Sequence, residues 1–275
     1  MPFSIRNNVV AMFTQRSMAN TQAELGGVME RLSSGFRINK AADDAAGLAI
    51  SEKLRAQVRG LTQASRNAQD GISVIQTAEA ALGETGSILQ RMRELSVQAA
   101  NDTLTSGDRA NLQAEVNALL AEVDRFAGAT EFNTMKLISG SLATSSMTLQ
   151  IGANNGQTIS FTITTATASS LGVSGIAVSS QASAAAALAS IDAAISLITT
   201  ERAKLGATQN RLERTISNLD SQSENLQASE SRIRDTDVAK ETIAMSRLQI
   251  LQQAGVAAQS QANAAPQAVL SLLKG

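Results

Sequence analysis

Apolar residues recur at steps of three, four or seven along most of the chain, which is the spacing of one face of an α-helix. Four segments carry this pattern. The first lies in the opening residues, the second begins after Asp43 or Asp44, the third starts near Ser106, and the fourth runs from about Ala184 to near the end. Narrow stripes of this kind are typical of coiled-coil seams. They predict a mainly α protein in which long helices form an antiparallel rod that folds back on itself.

The second segment is the longest. Unbroken from about 45 to 100 it would span roughly 80 Å, at about 1.5 Å per residue, and we expect Gly83 and Gly86 to loosen it. Asp43 and Asp44 precede it, and acidic side chains cap helix N-termini. Paired carboxylates can also act as acid and base. Because adjacent residues at a helix start point in different directions, we interpret this pair as caps.

The composition changes between the third and fourth helices, where residues 137–191 contain no charged residue. Two short runs there, 147–151 and 159–163, alternate apolar and polar positions, and the Asn-Gly pair within 152–157 favours a hairpin turn between them. We expect a small β-hairpin that caps the turn-round end of the rod. The remaining uncharged residues either pack on the rod or on a neighbouring subunit, or form a flexible surface loop that carries modifications.

The composition removes much of the usual catalytic chemistry. The 275 residues include six Phe but no Tyr, Trp, His or Cys. Without His and Cys there is no Ser-His-Asp triad, no thiol nucleophile and none of the commonest zinc ligands. We therefore predict a protein that is not an enzyme and that holds no metal and no cofactor. Asp235 and Asp237, with Arg232 and Arg234, are interpreted as a charged joint rather than as a metal site.

Net charge and hydropathy indicate which kinds of partner the chain binds. A net charge of −1 does not indicate a nucleic-acid-binding protein. The opening residues lack the apolar run of a secretory signal peptide, and no apolar run of 18 residues predicts a membrane span. Both ends are rich in Ala, Gln and Asn, and helices of this kind are marginal in water. We predict that both termini are poorly ordered in the monomer and fold on partner helices rather than on a membrane.

Long motifs stand at both ends of the sequence. The N-terminal half contains ERLSSGFRINKAADDAAGLAISEKL, LQRMRELSVQAAN and AEVDRFAGATEFN. The C-terminal half contains LGATQNRLERTISNL, ESRIRDTDVAKE and QANAAPQAVLSLLKG. These motifs resemble those of one family, the bacterial flagellins. The middle is much shorter than in the large flagellins and leaves no room for outer variable domains.

The resemblance implies a structural subunit that polymerises into the extracellular flagellar filament used for motility. It implies an inner-core helix and connector over 1–42, a rod with its hairpin over 43–183, the C-terminal rod helix over 184–234, and a second inner-core helix over 235–275. Its terminal helices order on assembly to form the filament core. A hook–filament junction protein, built on similar ends, is the alternative. An enzyme carried on a flagellin scaffold and a receptor-type signalling coiled coil are less favoured, since the chain has no catalytic insert and no predicted membrane span.

The resemblance also assigns residues and partners. Filament-core contacts are expected from Ile5, Val9, Met12, Leu248, Ile250, Leu251, Val269, Leu270, Leu272 and Leu273. The connector is expected to contain Arg31, Leu32, Gly35, Arg37, Ile38, Arg234 and Asp235. Arg91, Leu95 and Glu115 match the positions recognised by the vertebrate Toll-like receptor for flagellin. Further expected partners are identical subunits, an export chaperone at the C-terminal helix, the flagellar type III export apparatus, and the filament cap and junction proteins.

Overall fold

The computed structural model describes the backbone of residues 7–272 and the side chains of residues 7–264. Its helices are α1 (Val9–Ser34), α2 (Ala45–Ala99), α3 (Ser106–Ala129), α4 (Ser141–Thr144), α5 (Gln181–Arg234) and α6 (Val238–Leu272). Its strands are β1 (Glu131–Phe132), β2 (Met135–Lys136), β3 (Met147–Gln150) and β4 (Thr158–Phe161). The predicted class, long helices with a small amount of antiparallel β structure, is confirmed.

Both aspartates before α2 accept backbone amides, but only Asp44 caps the helix, so the expectation that the pair are caps holds for Asp44 and is wrong for Asp43. Asp44 Oδ1 accepts the amide hydrogen of Gly47 at 2.9 Å, so Asp44 caps α2. Asp43 Oδ2 accepts the amides of Asn39 and Lys40 at 3.0 and 2.9 Å and thereby closes the preceding turn. These backbone donors, Lys40 before Asn39, hold the pKa of Asp43 below its ordinary value.

α2 continues without a break through Gly83 and Gly86, so the expected loosening there is wrong. Leu82 and Leu89 on either side are fully buried, and their packing holds the helix. The fourth predicted helix does break. α5 ends at Arg234, and Asp237 caps α6 by accepting the amide of Ala239 at 3.0 Å, which confirms the charged joint.

The chain divides into two compact units. The terminal unit comprises residues 1–56 and 225–275, and the central unit comprises residues 57–224. Within the central unit α5 runs antiparallel to α2. Ser65 lies beside Asp220, with 3.3 Å between the hydroxyl and a carboxylate oxygen, while Arg93 pairs with Asp192 at 2.7 Å.

α3 also runs antiparallel to α2. Arg109, in the first turn of α3, donates to the carbonyl of Ala99 at 3.0 Å. Further along α3, Glu115 pairs with Arg91 of α2 at 2.8 Å. The apolar stripe of α3 points into the core of the central unit, where Val116 is fully buried. The third helix therefore carries the chain back along α2, away from the end of α2 at Ala99.

This return explains why the expected position of the hairpin is wrong. β3 and β4 pair in antiparallel register, so the hairpin itself is confirmed. It does not cap the turn-round end, because it packs beside the earlier part of α2. Asn67 donates to the carbonyl of Gln150 at 3.0 Å, and a Cβ on Gly60 would lie 2.8 Å from the Cβ of Ala153. The sequence pattern of α3 fixes its helical structure but not its direction.

The uncharged segment 137–178, which includes the hairpin, packs on the central unit of its own chain, and this confirms the first of the two interpretations of residues 137–191. Its apolar side chains are buried in the core. The buried members are Leu137, Ile138, Ile159, Phe161, Ile163, Leu171, Val173, Ile176 and Val178. Polar side chains hold its backbone. Gln113 accepts the amide of Val178 at 2.6 Å, and Asp124 accepts that of Ala168 at 2.8 Å.

Two further features were not predicted. β1 and β2 form a two-residue antiparallel pair whose turn places Asn133 and Thr134 at positive φ. Among the described residues, α5 also contains one 18-residue window with a mean hydropathy of 1.6, apolar enough to cross a membrane. Ile191 and Ala194 of this helix are fully buried in the central unit, and 28% of the window is buried inside the protein.

Candidate functional site: the terminal helix pair and its connector

α1 and α6 pack against each other in the terminal unit, as expected for ends that lie side by side. Asn8 donates to the carbonyl of Ala262 at 2.8 Å near one end of the pair. Near the other end Arg31 and Glu241 form a two-pronged ion pair at 3.0 and 3.2 Å. Between them the helices approach closely, since a Cβ on Gly255 would lie 2.9 Å from a side-chain carbon of Met18.

Pairing of α1 with α6 buries little of the apolar surface of either helix. Val28 and Leu248 are buried, each with 4% exposure. Most large apolar side chains that the structure leaves exposed belong to the terminal unit. They are Val9, Val10, Met12, Phe13, Met29, Ile50, Val238, Ile243, Ile250, Leu251 and Val256. An apolar surface this extensive is characteristic of a surface that is covered by another protein.

The expected core-contact residues fall into three groups. Val9, Met12, Ile250 and Leu251 are exposed on the pair and available to a partner. Leu248 is instead buried. The remaining five lie outside the described residues, either wholly or in their side chains. They are Ile5, Val269, Leu270, Leu272 and Leu273.

The connector joins the two ends of the chain through backbone hydrogen bonds. α1 ends at Gly35, whose φ of 74° lies in the left-handed region that glycine favours. The next residue, Phe36, forms an isolated antiparallel bridge with Asp235. Arg37 donates its amide to the carbonyl of Arg234 at 2.6 Å, and Thr236 donates to the carbonyl of Gly35 at 3.0 Å.

Arg234 is the centre of the connector. Its side chain is 12% exposed, and its guanidinium donates to Glu52 on α2 at 2.8 Å. The same guanidinium lies 4.7 Å from the centre of the Phe36 ring, a cation–π contact. The Arg234 side chain therefore brings together Phe36, from the stretch after α1, and Glu52 on α2.

The predicted connector residues lie in or beside this cluster. Arg31 forms the ion pair to Glu241, Arg37 also donates to the carbonyl of Ile233 at 2.6 Å, and Ile38 is buried. Leu32 is half-buried next to the end of α1. Phe36, Glu52 and Glu241 were not predicted from the sequence. Their side chains meet partners as many as 210 positions away, and no local pattern indicates such contacts.

The Glu52–Arg234 pair makes the connector sensitive to acid. The hydrogen bond from Arg234 is the main cause that holds the pKa of Glu52 below its ordinary value. A carboxylate with a lowered folded-state pKa stabilises the fold above its unfolded pKa, and this contribution is lost as the pH falls through the folded value. We expect amide-exchange protection at Arg37 to fall below about pH 4.5, the ordinary value for Glu. Glu52→Gln should lower protection at neutral pH and flatten this dependence, whereas unchanged protection in acid would contradict the role of the pair.

The three predicted receptor-recognition residues do not share one environment. Arg91 and Glu115 are half-exposed and paired at 2.8 Å, and Arg91 also contacts Glu94 at 3.1 Å. The hydrogen bond that Arg91 donates to Glu115 is the main cause that raises the pKa of Arg91. Leu95 is 1% exposed and belongs to the core of the central unit. The surface available at this position in the chain is therefore the Arg91–Glu115 pair.

Among residues 7–264 there is no cluster of three acidic side chains, His or Cys that could hold a metal ion. The polar groups gathered at the connector are Arg, Glu and backbone amides, which join segments of chain. With an apolar helix pair beside it, this arrangement fits a surface that binds protein.

Comparison with known proteins agrees with this geometry. The model of the bacterial flagellin N-terminal helical region matches residues 5–143, and that of the C-terminal helical region matches residues 188–273. The chain is 51% identical over 272 residues to a flagellin of Halalkalibacterium halodurans, covering 98% of this chain and 99% of that one. It is 46% identical over 304 residues to a flagellin of Bacillus subtilis, with the same two coverages.

Known structures support the fold. The crystal structure of Bacillus cereus flagellin aligns with a TM-score of 0.50 at 33% identity, covering 60% of this chain and 94% of that chain. A flagellar hook-associated protein of Vibrio parahaemolyticus aligns with a TM-score of 0.60 at 16% identity, covering 70% of this chain and all of that one. The second likeness concerns the fold alone. From the two matching regions and the near full-length identity, this chain belongs to the bacterial flagellin family.

Proposed function

We propose that this chain is the structural subunit of a bacterial flagellar filament and that its terminal helix pair makes the contacts of the filament core. The observation that carries the proposal is the concentration of exposed apolar side chains on α1 and α6, in a chain of the flagellin family. A subunit that covers this surface with identical neighbours through non-closing contacts builds an open helical polymer.

The filament subunit is favoured over the junction protein. The relative from Treponema phagedenis, 49% identical over 284 residues, is a flagellar filament core protein. Likeness to the hook-associated protein is limited to 16% identity and concerns the fold. The near full-length identities are to filament proteins and support the same role here.

Assembly is proposed to order the terminal helices. α1 and α6 hold each other through few buried side chains, and their outer faces remain apolar and exposed. Helices with so little support are marginal alone, so their folding is coupled to addition at the filament tip. In the predicted organisation, residues 1–42 and 235–275 supply the inner core, while 43–183 and 184–234 supply the surrounding helices.

The finer partners follow from the family and from the same surface. The subunit leaves the cell through the flagellar type III export apparatus and joins the filament beneath its cap, above the junction proteins. Before export, a chaperone that covers α6 shields Ile243, Ile250 and Val256, which are 71%, 65% and 55% exposed. In the filament, identical subunits cover these side chains instead.

Recognition by the Toll-like receptor for flagellin is proposed to use the exposed Arg91–Glu115 pair. Leu95, a core residue, supports this surface from beneath.

Arg91→Ala should abolish most receptor activation with little change in stability, because exposed ion pairs stabilise folds only weakly. Leu95→Ala should lower the free energy of unfolding by about 2–5 kcal/mol through loss of a buried side chain. Urea unfolding measures the stability of both variants, and a receptor reporter assay measures how strongly each activates the receptor. Full receptor activation by Arg91→Ala would contradict the proposed surface.

Seeded growth tests the proposed function. Purified monomer is added to short sheared filaments of the same protein, and lengths are measured by electron microscopy. Elongated seeds support the filament-subunit role. Seeds that keep their length in the presence of folded monomer would oppose it and favour the junction role, which a search for a protein partner would then address.

A further inference from the structure

A surface cavity of about 190 Å³ lies in the central unit between α2, α5 and the segment that follows the hairpin. It has room for several water molecules. Its walls are mostly apolar, and they include Leu82, Leu171, Leu197 and Ile198. Leu197, on the outer part of the wall, is 52% exposed, whereas Leu82 and Ile198 are buried.

Glu201 brings a negative charge into this apolar cavity. The residue is 4% exposed and belongs to the cavity lining. One carboxylate oxygen accepts the amide of Thr164 at 3.0 Å. The other lies 3.4 Å from Lys204, a long contact to a side chain that is 68% exposed. A buried carboxylate with one weakly held cation has unused capacity to bind a second.

We propose that this cavity receives an arginine side chain from a neighbouring copy of the chain in the filament. The inference rests on the proposed function, since it names a contact between subunits. The apolar walls suit the methylene stem of a long cationic side chain, and Glu201 in the lining pairs with its head group. A guanidinium, which donates through a rigid planar fork, matches a carboxylate better than a compact ammonium does.

The chain itself offers the arginines. Arg59 and Arg66 on α2, and Arg211 and Arg214 on α5, are exposed. Within the described part of the chain, none of the four makes an ion pair or donates a side-chain hydrogen bond. Most other arginines of the central unit do so, among them Arg91, Arg93 and Arg125. A free arginine on one subunit and a buried carboxylate on the next are complementary in charge.

Replacement of Glu201 tests the contact. Glu201→Gln keeps an oxygen that can accept the Thr164 amide but removes the charge. We expect the critical concentration for seeded elongation to rise at least about tenfold, the usual consequence of removing one partner of a buried charge pair. The matched control is Glu213→Gln. Glu213 is an exposed carboxylate on the same helix, and among the described side chains it accepts a hydrogen bond only from Gln209, at 3.0 Å. It should leave the critical concentration unchanged.

A second variant covers the case in which Glu201→Gln unfolds. Leu197→Lys changes an exposed position at the cavity and supplies an internal cation that competes for Glu201, so it should also raise the critical concentration. If wild-type monomer elongates seeds and both folded variants match it, the inference is overturned while the proposed function stands. If wild-type monomer itself fails to elongate seeds, the proposed function fails first.

Crosslinking identifies the donor. The sequence has no Cys, so every disulfide that forms must involve the introduced Cys residues. Filaments are grown from equal amounts of two single-Cys variants. One variant carries Leu197→Cys, and the other carries Cys in place of one of the four arginines. Disulfide-linked dimers from one of these mixtures support the contact and name the arginine. The absence of dimers from all four mixtures, in filaments that form normally, would overturn the proposal.

Discussion

Deleting residues 241–275 is expected to abolish polymerisation and to leave the central unit folded. The deletion removes nearly all of α6, including the exposed apolar side chains Ile243, Ile250 and Val256. It also removes the helix against which α1 packs. The central unit comprises residues 57–224 and has its own core, so none of its chain is lost. This is the largest effect that we predict for assembly.

Electron microscopy of seeded reactions measures the loss, and circular dichroism with urea unfolding measures the fold that remains. The full-length chain, prepared and seeded in parallel, is the control. The truncated protein should retain a cooperative unfolding transition and should add nothing to seeds. Filaments of normal length from the truncated protein would refute the proposed role of α6.

Ile250→Asp is expected to block elongation with little change in the monomer. Ile250 is 65% exposed, whereas Leu248, roughly 200° away around the helix at 3.6 residues per turn, is 4% exposed against the rest of the terminal unit. The outer face of α6 is therefore open in the monomer, where an added charge remains in water. On a filament it would be buried without a partner, at a cost of several kcal/mol.

Gln249→Asp is the matched control, because it adds the same charge at the adjacent exposed position on a different face of the helix. Critical concentrations from seeded growth compare the two variants. We expect Gln249→Asp to elongate seeds and Ile250→Asp to leave them unchanged at every soluble concentration. Equal growth of the two variants would mean that Ile250 stays in water in the polymer, which would contradict the assignment of this face.

The sequence predicted those features that depend on neighbours in the chain. Asp44 caps α2 through an amide three residues away, and the Asn-Gly pair in 152–157 marks the hairpin turn. The charged joint after Arg234 is equally local. In each case one short stretch contains both the signal and the structure that it produces.

Features that depend on distant contacts were missed or misplaced. The hairpin lies beside α2 near Gly60 because α3 carries the chain back, and apolar periodicity does not encode that direction. The β1–β2 pair is only two residues long on each strand, and its turn uses Asn133 and Thr134 rather than Asn-Gly.

The candidate site was predicted in the same uneven way. Its position between helices followed from the sequence. Its backbone hydrogen bonds and the partners of its charged side chains did not. Glu52 meets Arg234 from 182 positions away, and Glu241 meets Arg31 from 210. Leu95 was assigned to receptor recognition from the resemblance in sequence. The structure buries its side chain, so its role is in the core.

Amide hydrogen exchange, compared between the monomer and the filament, tests the central claim most directly. The claim is that the terminal helix pair is the assembly surface, whereas the central unit is the body that is already folded. We expect amides of residues 9–34 and 238–264 to exchange fast in the monomer and slowly in the filament. Core amides of α2, α3 and α5 within residues 57–224 should be protected in both. Equal protection of the terminal helices in the two states would contradict the account.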